Sequence, residues 1–316
     1  MESRPLATRG VHVLSVQSHT VASRVGNRAA ELPLTLLGAE VSALPTVSLA
    51  AHAAYPHNAR ASEPLSPSAL DATLNALRLN LSLQDLSHLL SGYIGSESFA
   101  RRLSAAVDFA RASSSLPHVE YVCDPVLGDD DRLYVPSGVV DAFKHHLLPR
   151  ANVVLPNAFE AEQLTGIRVD ANTSIISNAL DSLHALGPST AIITSIASSN
   201  SDELLVAAST TDEQDDGLPR KFCVSLHKRD VKCTGTGDML SALVLGWRAV
   251  HRRRLADAVR LALGGVQAAV RFNEETQSNA PPAETDAELW RRRELQIVAA
   301  QDQIATPPDV PEAQPL

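Results

Sequence analysis

This chain predicts an α/β fold, a mostly parallel central sheet with helices on both faces. Three observations carry that expectation. Short β-rich apolar runs alternate with longer helical patterns from residue 11 to residue 195, the rhythm of right-handed crossover units. Breaker residues mark the changes of pattern, such as Gly38 after a helical run and Pro125 after an apolar one. A chain of 316 residues with 44% hydrophobic and 20% charged side chains has material for one large domain with an ample core.

Taken in order, the run VHVLSV (11–16) reads as a buried strand and NRAAELPLTLLG (27–38) as a helix stopped by its glycine. EVSALPTV follows as a strand and SALDATLNAL (68–77) as a helix. HLLSGY and HVEYVCD are strands flanking the helix SESFARRLSAAVDFARA. Next come a helix over 137–148, the strand NVVLP, the helices NAFEAEQLTG and SIISNALDSLHAL, and the strand TAIITS (190–195). There the rhythm changes. ELLVAAS and KFCVSLHK are separated by a polar stretch with no room for a helix, so they read as a hairpin with a mobile tip. Helices from Thr236 and over 254–273 close the domain. The organisation expected is an N-terminal extension (1–10), a large α/β domain (11–275), a linker (276–285), a segment packing back on the domain (286–305) and a frayed, Pro-rich tail (306–316).

A net charge of −9 argues against nucleic acid as the main partner. The triplets Arg252-Arg253-Arg254 and Arg291-Arg292-Arg293 lie in helical patterns and read as solvated faces. Cys123, Cys223 and Cys233 are an odd set without a CxxC pair, which suggests neither a disulfide framework nor a zinc site. No apolar run approaches the ~18 residues of a membrane span, and the start lacks a signal-peptide core. The expected setting is cytoplasmic, with the nucleus as an alternative.

Ligands of open parallel sheets bind beyond the carboxyl ends of the strands. That rule collects Gln17-Ser18-His19, Asp124, Pro156-Asn157 and Thr194-Ser195. Gly235-Thr236-Gly237-Asp238 opens a long apolar helix. First-turn amides lack intrahelical partners and carry partial positive charge, and glycines let an anion approach them. A carboxylate there repels phosphate, yet it can take the proton of an alcohol that attacks phosphorus. Capping by Thr236 or Asp238 explains the same four residues equally well. CDPVLGDDDRLYVP puts Asp124 directly after a strand with further carboxylates behind it, hard oxygen ligands that suit Mg2+ beside substrate phosphates. Asn157 and Glu160 have the spacing of a helix cap.

The strings VLSVQSH, VGNRAA, CDPVLGD, YVP, LPNAFEAEQLTG, AIITS, GTGD and ELQIVAAQDQI stand in the order and spacing of the pyridoxal kinases. Over residues 11 to 305 the chain resembles that family, within the ribokinase-like superfamily. The resemblance implies ATP-dependent phosphorylation of the 5-hydroxymethyl group of pyridoxal, pyridoxine and pyridoxamine in vitamin B6 salvage. It makes Asp238 the catalytic base and Gly235, Thr236 and Gly237 the anion hole. Ser18, His52 and Tyr93 fall to substrate binding. Asp124, Asn157, Glu160, Thr194 and Ser195 fall to the nucleotide, with Asp124, Asp129 and Glu160 toward the metal. Tyr134 falls on a lid. Implied cofactors are ATP and Mg2+, with Zn2+ as an alternative and K+ or Na+ as an open question. The implied partners are small molecules and a second copy of the chain in a homodimer.

The chain departs from the family pattern at four places. Ser23-Arg24 stand where a Gly-Tyr pair is usual, Ala53 and Leu155 each replace a threonine, and the lid stretch is short. These departures keep two other readings open: a kinase for another hydroxymethyl compound such as a hydroxymethylpyrimidine, and a non-catalytic vitamer-binding paralogue. No GxxxxGK[ST] loop is present, so nucleotide binding falls to the strand-end rim.

Overall fold

The computed structural model describes residues 10–215 and 217–316; the expected N-terminal extension lies, but for Gly10, outside them. The chain divides into two compact units, residues 1–63 with 229–311, and residues 64–228 with 312–316.

In the first unit, strand β1 (His12–Thr20) pairs in parallel with β2 (Glu40–Leu49). Helix α1 (Asn27–Leu36) connects them and packs on both, which is the crossover expected. Helix α7 (Thr236–Val250) lies against α1 and α8 (Leu255–Ser278). From Met239 to Arg248 every residue of α7 is buried, because an all-round apolar helix must be enclosed. Helix α8 runs into the expected 276–285 linker before it stops. Beyond it, α9 (Asp286–Arg292), capped by Thr285, and α10 (Gln301–Ala305) return, and α10 packs on α8 and α1. The segment 286–305 therefore packs back as expected.

The second unit holds the strand order β11-β10-β9-β8-β7-β4-β3. Strands β3 (His88–Ser91), β4 (Glu120–Cys123), β7 (Val153–Val154) and β8 (Thr190–Ala197) are parallel neighbours. Strands β9 (Glu203–Thr210) and β10 (Lys221–His227) continue antiparallel as the expected hairpin. Four helices of this unit start where a side chain can take an orphan amide. Ser66 caps α2 (Pro67–Leu79), Ser96 caps α3 (Glu97–Ser113), Asn157 caps α5 (Ala158–Thr165) and Asn172 caps α6 (Thr173–Ala185). The helix expected over 137–148 is composite: α4 (Ser137–Ala142) widens into a π turn (Phe143–Leu147) and tightens into a 3-10 turn (Leu148–Arg150). Pro149 cannot donate a helical hydrogen bond, which ends it.

Two elements differ from expectation. The acidic stretch after β4 forms a small hairpin, β5 (Gly128–Asp129) with β6 (Arg132–Leu133), turned by Asp130 and Asp131 at φ 48° and 56°. The tail expected to fray instead contributes β11 (Ala313–Pro315), antiparallel to β10. An edge strand with unpaired amides recruits even a three-residue partner.

Candidate active site

The first unit carries Ser18, His52, Gly235, Thr236, Gly237 and Asp238. At its centre is the entry to α7. Gly235 is the N-cap residue, and no side chain caps the helix, so neither Thr236 nor Asp238 spends itself on that role. Asp238 points instead at the start of α1, where the Gly26 amide donates to its carboxylate. Burial pushes its pKa from 3.8 up to about 6, with the Gly26 bond opposing the rise. Asp238 is only half-buried by exposure while closely surrounded by protein. It is thus an accessible carboxylate in a poorly hydrated setting, as a general base should be.

Two glycines make this approach of loop and helix possible. Gly26 sits at φ +56°, and a Cβ on it would lie 2.2 Å from the Ser18 carbonyl oxygen and 2.5 Å from its Oγ. Ser18, Gly26 and Asp238 are therefore direct neighbours. Gly235 sits at φ +84°, and a Cβ on it would meet the Arg24 carbonyl oxygen at 2.1 Å. That packing by itself demands a glycine at 235, beside the role in an anion hole that the sequence suggests. Gly237 is the open position: a Cβ there would meet nothing within 4 Å.

Upstream of this entry, β1 is steadied by a buried polar chain. Gln17 Nε2 donates to Ser15 Oγ, Ser15 Oγ donates to Asn27 Oδ1, and Asn27 Nδ2 donates to the Gln17 carbonyl, over 2.9, 2.7 and 3.2 Å. It fixes the end of β1 against the first turn of α1, and with it Ser18. His52 is half-buried, with its backbone amide 2.8 Å from Ser23 Oγ. Burial holds its imidazole pKa below the ordinary value, and the charge of Glu294 opposes this.

The second unit carries Tyr93, Asp124, Asp129, Asn157, Glu160, Thr194 and Ser195. Asn157 and Glu160 form a full capping box on α5: Asn157 Oδ1 accepts the Glu160 amide and Glu160 Oε2 accepts the Asn157 amide, both at 2.8 Å. Glu160 Oε1 also takes the amides of Leu127 and Gly128 at 2.8 and 3.3 Å, and Asn157 Nδ2 donates to the Gly128 carbonyl at 2.8 Å. The pair thereby fixes the base of the acidic hairpin that carries Asp129. Burial pushes the Glu160 pKa up to about 7, three backbone amides pull it back, and the Asp129 charge adds to the rise. Both Glu160 oxygens are thus engaged by backbone amides.

Asp124, 6% exposed, follows the last residue of β4. Thr194 bridges to Asn157, and its amide donates to the Pro156 carbonyl at 2.9 Å. Ser195 is exposed at φ +56°, within a register irregularity of β8. A non-glycine residue held there marks a backbone position shaped by more than strand pairing. Tyr93 follows β3 and is half-buried. Tyr134, just beyond the acidic hairpin, is 57% exposed.

Among the described residues, no three His, Cys, Asp or Glu side chains gather as a metal-holding group. Asp124 and Asp129 offer oxygen only. This donor set suits Mg2+, which takes one or two carboxylates together with substrate phosphates, better than Zn2+, which favours nitrogen and sulfur. The Cys123 thiol, pushed up to about 12 by burial, is no thiolate ligand.

Sequence reasoning singled out neither Gly26 nor Glu294. Glu294 Oε1 accepts Tyr55 OH at 2.6 Å and Ser23 Oγ at 2.7 Å. A carboxylate more than 230 residues from its partners (|i−j| of 239 and 271) leaves no periodicity or spacing by which one sequence could reveal it.

Comparison with known proteins agrees with this geometry. Residues 53–284 match the family model described as phosphomethylpyrimidine kinase. The chain is 36% identical over 296 residues to pyridoxal kinase of Arabidopsis thaliana, covering 93% of this chain and 91% of that one. It is 34% identical over 253 residues to pyridoxal kinase of Homo sapiens, covering 77% and 79%. Among solved structures, pyridoxal kinase from Leishmania donovani in complex with ADP and pyridoxamine superposes with a TM-score of 0.85 at 30% identity, covering 96% of this chain and 99% of that one.

Proposed function

The chain belongs to the pyridoxal kinase family of the ribokinase-like superfamily, and from that premise we propose how its own residues perform the reaction. The enzyme transfers the γ-phosphoryl group of ATP to the 5-hydroxymethyl oxygen of pyridoxal, and likewise of pyridoxine and pyridoxamine. The observation that carries this reading is the Asp238 carboxylate, with its pKa pushed up to about 6, at an α7 entry that no side chain caps.

Asp238 accepts the hydroxymethyl proton as the oxygen attacks the γ-phosphorus; the bond to the bridging oxygen breaks and ADP leaves. The first-turn amides of α7, with the open face at Gly237, bind the oxygens of the phosphoryl group as it transfers. Ser18 and His52 orient the vitamer ring, with Tyr93 assigned beside it. Thr194 and Ser195 are assigned to the nucleotide. Mg2+, held by Asp124 and Asp129 with Glu160 acting through water, would neutralise charge on the phosphates. A homodimer in the cytoplasm, supplied with ATP there, is the working state we propose.

A specific observation keeps a second substrate in view: the matched family model is named for a pyrimidine kinase. The test is turnover of ATP and Mg2+ with pyridoxal, pyridoxine, pyridoxamine and hydroxymethylpyrimidine in parallel. Efficient formation of pyridoxal 5'-phosphate supports the B6 assignment. A higher kcat/KM for the pyrimidine replaces it, and binding of vitamers without any turnover makes the chain a binding paralogue.

A further inference from the structure

The C-terminal return of the chain does more than close the first unit. Asn273, 1% exposed on α8, donates Nδ2 to the carbonyl oxygens of Glu294 and Arg292 at 2.8 and 3.2 Å, while its Oδ1 takes the Gln296 amide at 2.8 Å. Residues 292–296 are thus anchored to a long helix. From that anchor four bonds run to the candidate active site. The Arg293 carbonyl accepts the Thr234 amide at 2.8 Å, immediately before Gly235. The Leu295 carbonyl accepts Arg24 Nη1 at 2.8 Å. Glu294 Oε1 accepts Ser23 Oγ and Tyr55 OH.

The Ser23 hydroxyl in turn accepts the His52 amide. On the outer side the Trp290 ring lies 5.5 Å from the His52 ring, and the Arg293 guanidinium lies 4.5 Å over Trp290. Inside the loop, Asn58 Nδ2 ties the carbonyls of Ala51 and His52 at 3.0 and 2.9 Å. The segment 50–59 is therefore a small ordered body, held by Tyr55 to the Glu294 carboxylate, by the His52 amide to Ser23 and by the His52 ring to Trp290. Ser23 and Arg24, two departures from the family pattern, are the residues that meet the C-terminal segment from the β1–α1 loop.

We propose that Glu294 is a positioning residue of the vitamer pocket: its carboxylate joins Ser23 to Tyr55, holds the 50–59 loop and His52 in place, and sets affinity for the vitamer. The two hydroxyls donate to an ionised acceptor, the stronger kind of hydrogen bond. A loop held this way meets the substrate already ordered, so its ordering cost does not weaken binding. Glu294 touches neither reacting atom, so its loss falls on vitamer binding and not on the chemical step. The inference rests on the kinase reading.

The test pairs kinetics with hydrogen exchange on Glu294→Ala, Glu294→Gln, Tyr55→Phe and Ser23→Gly. Glu294→Ala is expected to raise KM for pyridoxal about tenfold or more, with KM for ATP within about twofold and kcat within about threefold of the parent. Peptides covering residues 50–59 should exchange faster, while those from α7 should not. Glu294→Gln, which keeps one acceptor oxygen, should lie between, and Tyr55→Phe and Ser23→Gly should each reproduce part of the loss. Combining Tyr55→Phe with Glu294→Ala should add little, since both cut the Tyr55–Glu294 bond.

Unchanged KM for pyridoxal overturns the proposal, as does a parallel fall of kcat with both KM values. If Glu294→Ala does not fold, the Gln and Phe variants decide. Should the parent turn over no vitamer, the kinase reading fails by itself. Exchange at 50–59 then still tells whether Glu294 holds the loop, and unchanged exchange overturns that as well.

Discussion

In the proposed role of base, Asp238 would carry both chemistry and its cost. Its raised pKa means the charged carboxylate is disfavoured in the fold. The stabilisation from its neutral form is fully present below pH 3.8 and is lost as pH rises through about 6. At neutral pH the fold therefore bears a penalty of at most about 3 kcal/mol. Asp238→Asn removes the base, keeps the shape and can still accept the Gly26 amide. It should lower kcat by about 10²–10⁴-fold while raising the melting temperature at pH 7.5, with the gain fading toward pH 4. In the parent, kcat should fall as pH drops through about 6. A variant that keeps more than a tenth of the parent rate removes Asp238 from the role of base. Leu155 offers the second prediction at this scale. Its side chain is 5% exposed and brings no oxygen where relatives of the resembled family have a threonine. A hard monovalent cation needs oxygen ligands, so activation by KCl over tetramethylammonium at fixed ionic strength should be weak. Saturating activation at low millimolar K+ would show that backbone or water oxygens suffice.

At the scale of elements, the entry to α7 separates two demands that look identical in sequence. Gly235 and Gly237 both read as openings for an anion, yet the Arg24 carbonyl oxygen fills the space at the first and nothing fills it at the second. Gly237→Ala should therefore leave stability unchanged or raised by up to about 1 kcal/mol, since alanine is the better helix former, while slowing phosphoryl transfer. Gly235→Ala should lose stability first. Melting curves and kcat on the same two preparations check both, and an active Gly237→Ala enzyme would move the anion site away from this turn. The contrast explains what was legible. Strand and helix periods placed nearly every element, because burial imposes them locally: α1, α3 and α6 lie within a few residues of expectation. The β5–β6 hairpin and β11 were not legible, since each is only two or three residues long and exists by pairing with a distant or turned-back segment. Asp124, Asn157 and the 235–238 turn were legible because they sit just beyond a strand or at a helix start, whereas Ser18, Thr194 and Ser195, expected beyond their strands, lie within β1 and β8, which run further than the apolar pattern. Ser23, Tyr55 and Glu294 were not legible, because only the folded chain brings them together.

At the scale of the whole molecule, the residues assigned to the vitamer and those assigned to the nucleotide and cation fall mostly in different compact units. The base, the uncapped helix entry, Ser18, His52 and Glu294 belong to the unit of residues 1–63 and 229–311, whereas Asp124, Asp129, Asn157, Glu160, Thr194 and Ser195 belong to the other. A net charge of −9 gives no general attraction for ATP, so the proposed reading assigns its binding to local features, oriented amides and a bridging cation. Each ligand should then order the segments that contact it and leave the others nearly as they were, because hydrogen exchange reports local opening as well as global unfolding. Pyridoxal alone should slow exchange in peptides covering residues 18–26 and 50–59 and around Tyr93. An ATP analogue with Mg2+ should slow it in 123–135, 157–160 and 194–195, and in the first turn of α7, the place proposed for the transferred group. With Mg2+ omitted, protection of 123–135 should weaken most, since Asp124 and Asp129 repel the phosphates unless a cation lies between them. Protection of 123–135 by the nucleotide that is indifferent to Mg2+ would mean that the acidic hairpin is not a cation-binding element, and its carboxylates would then need another explanation.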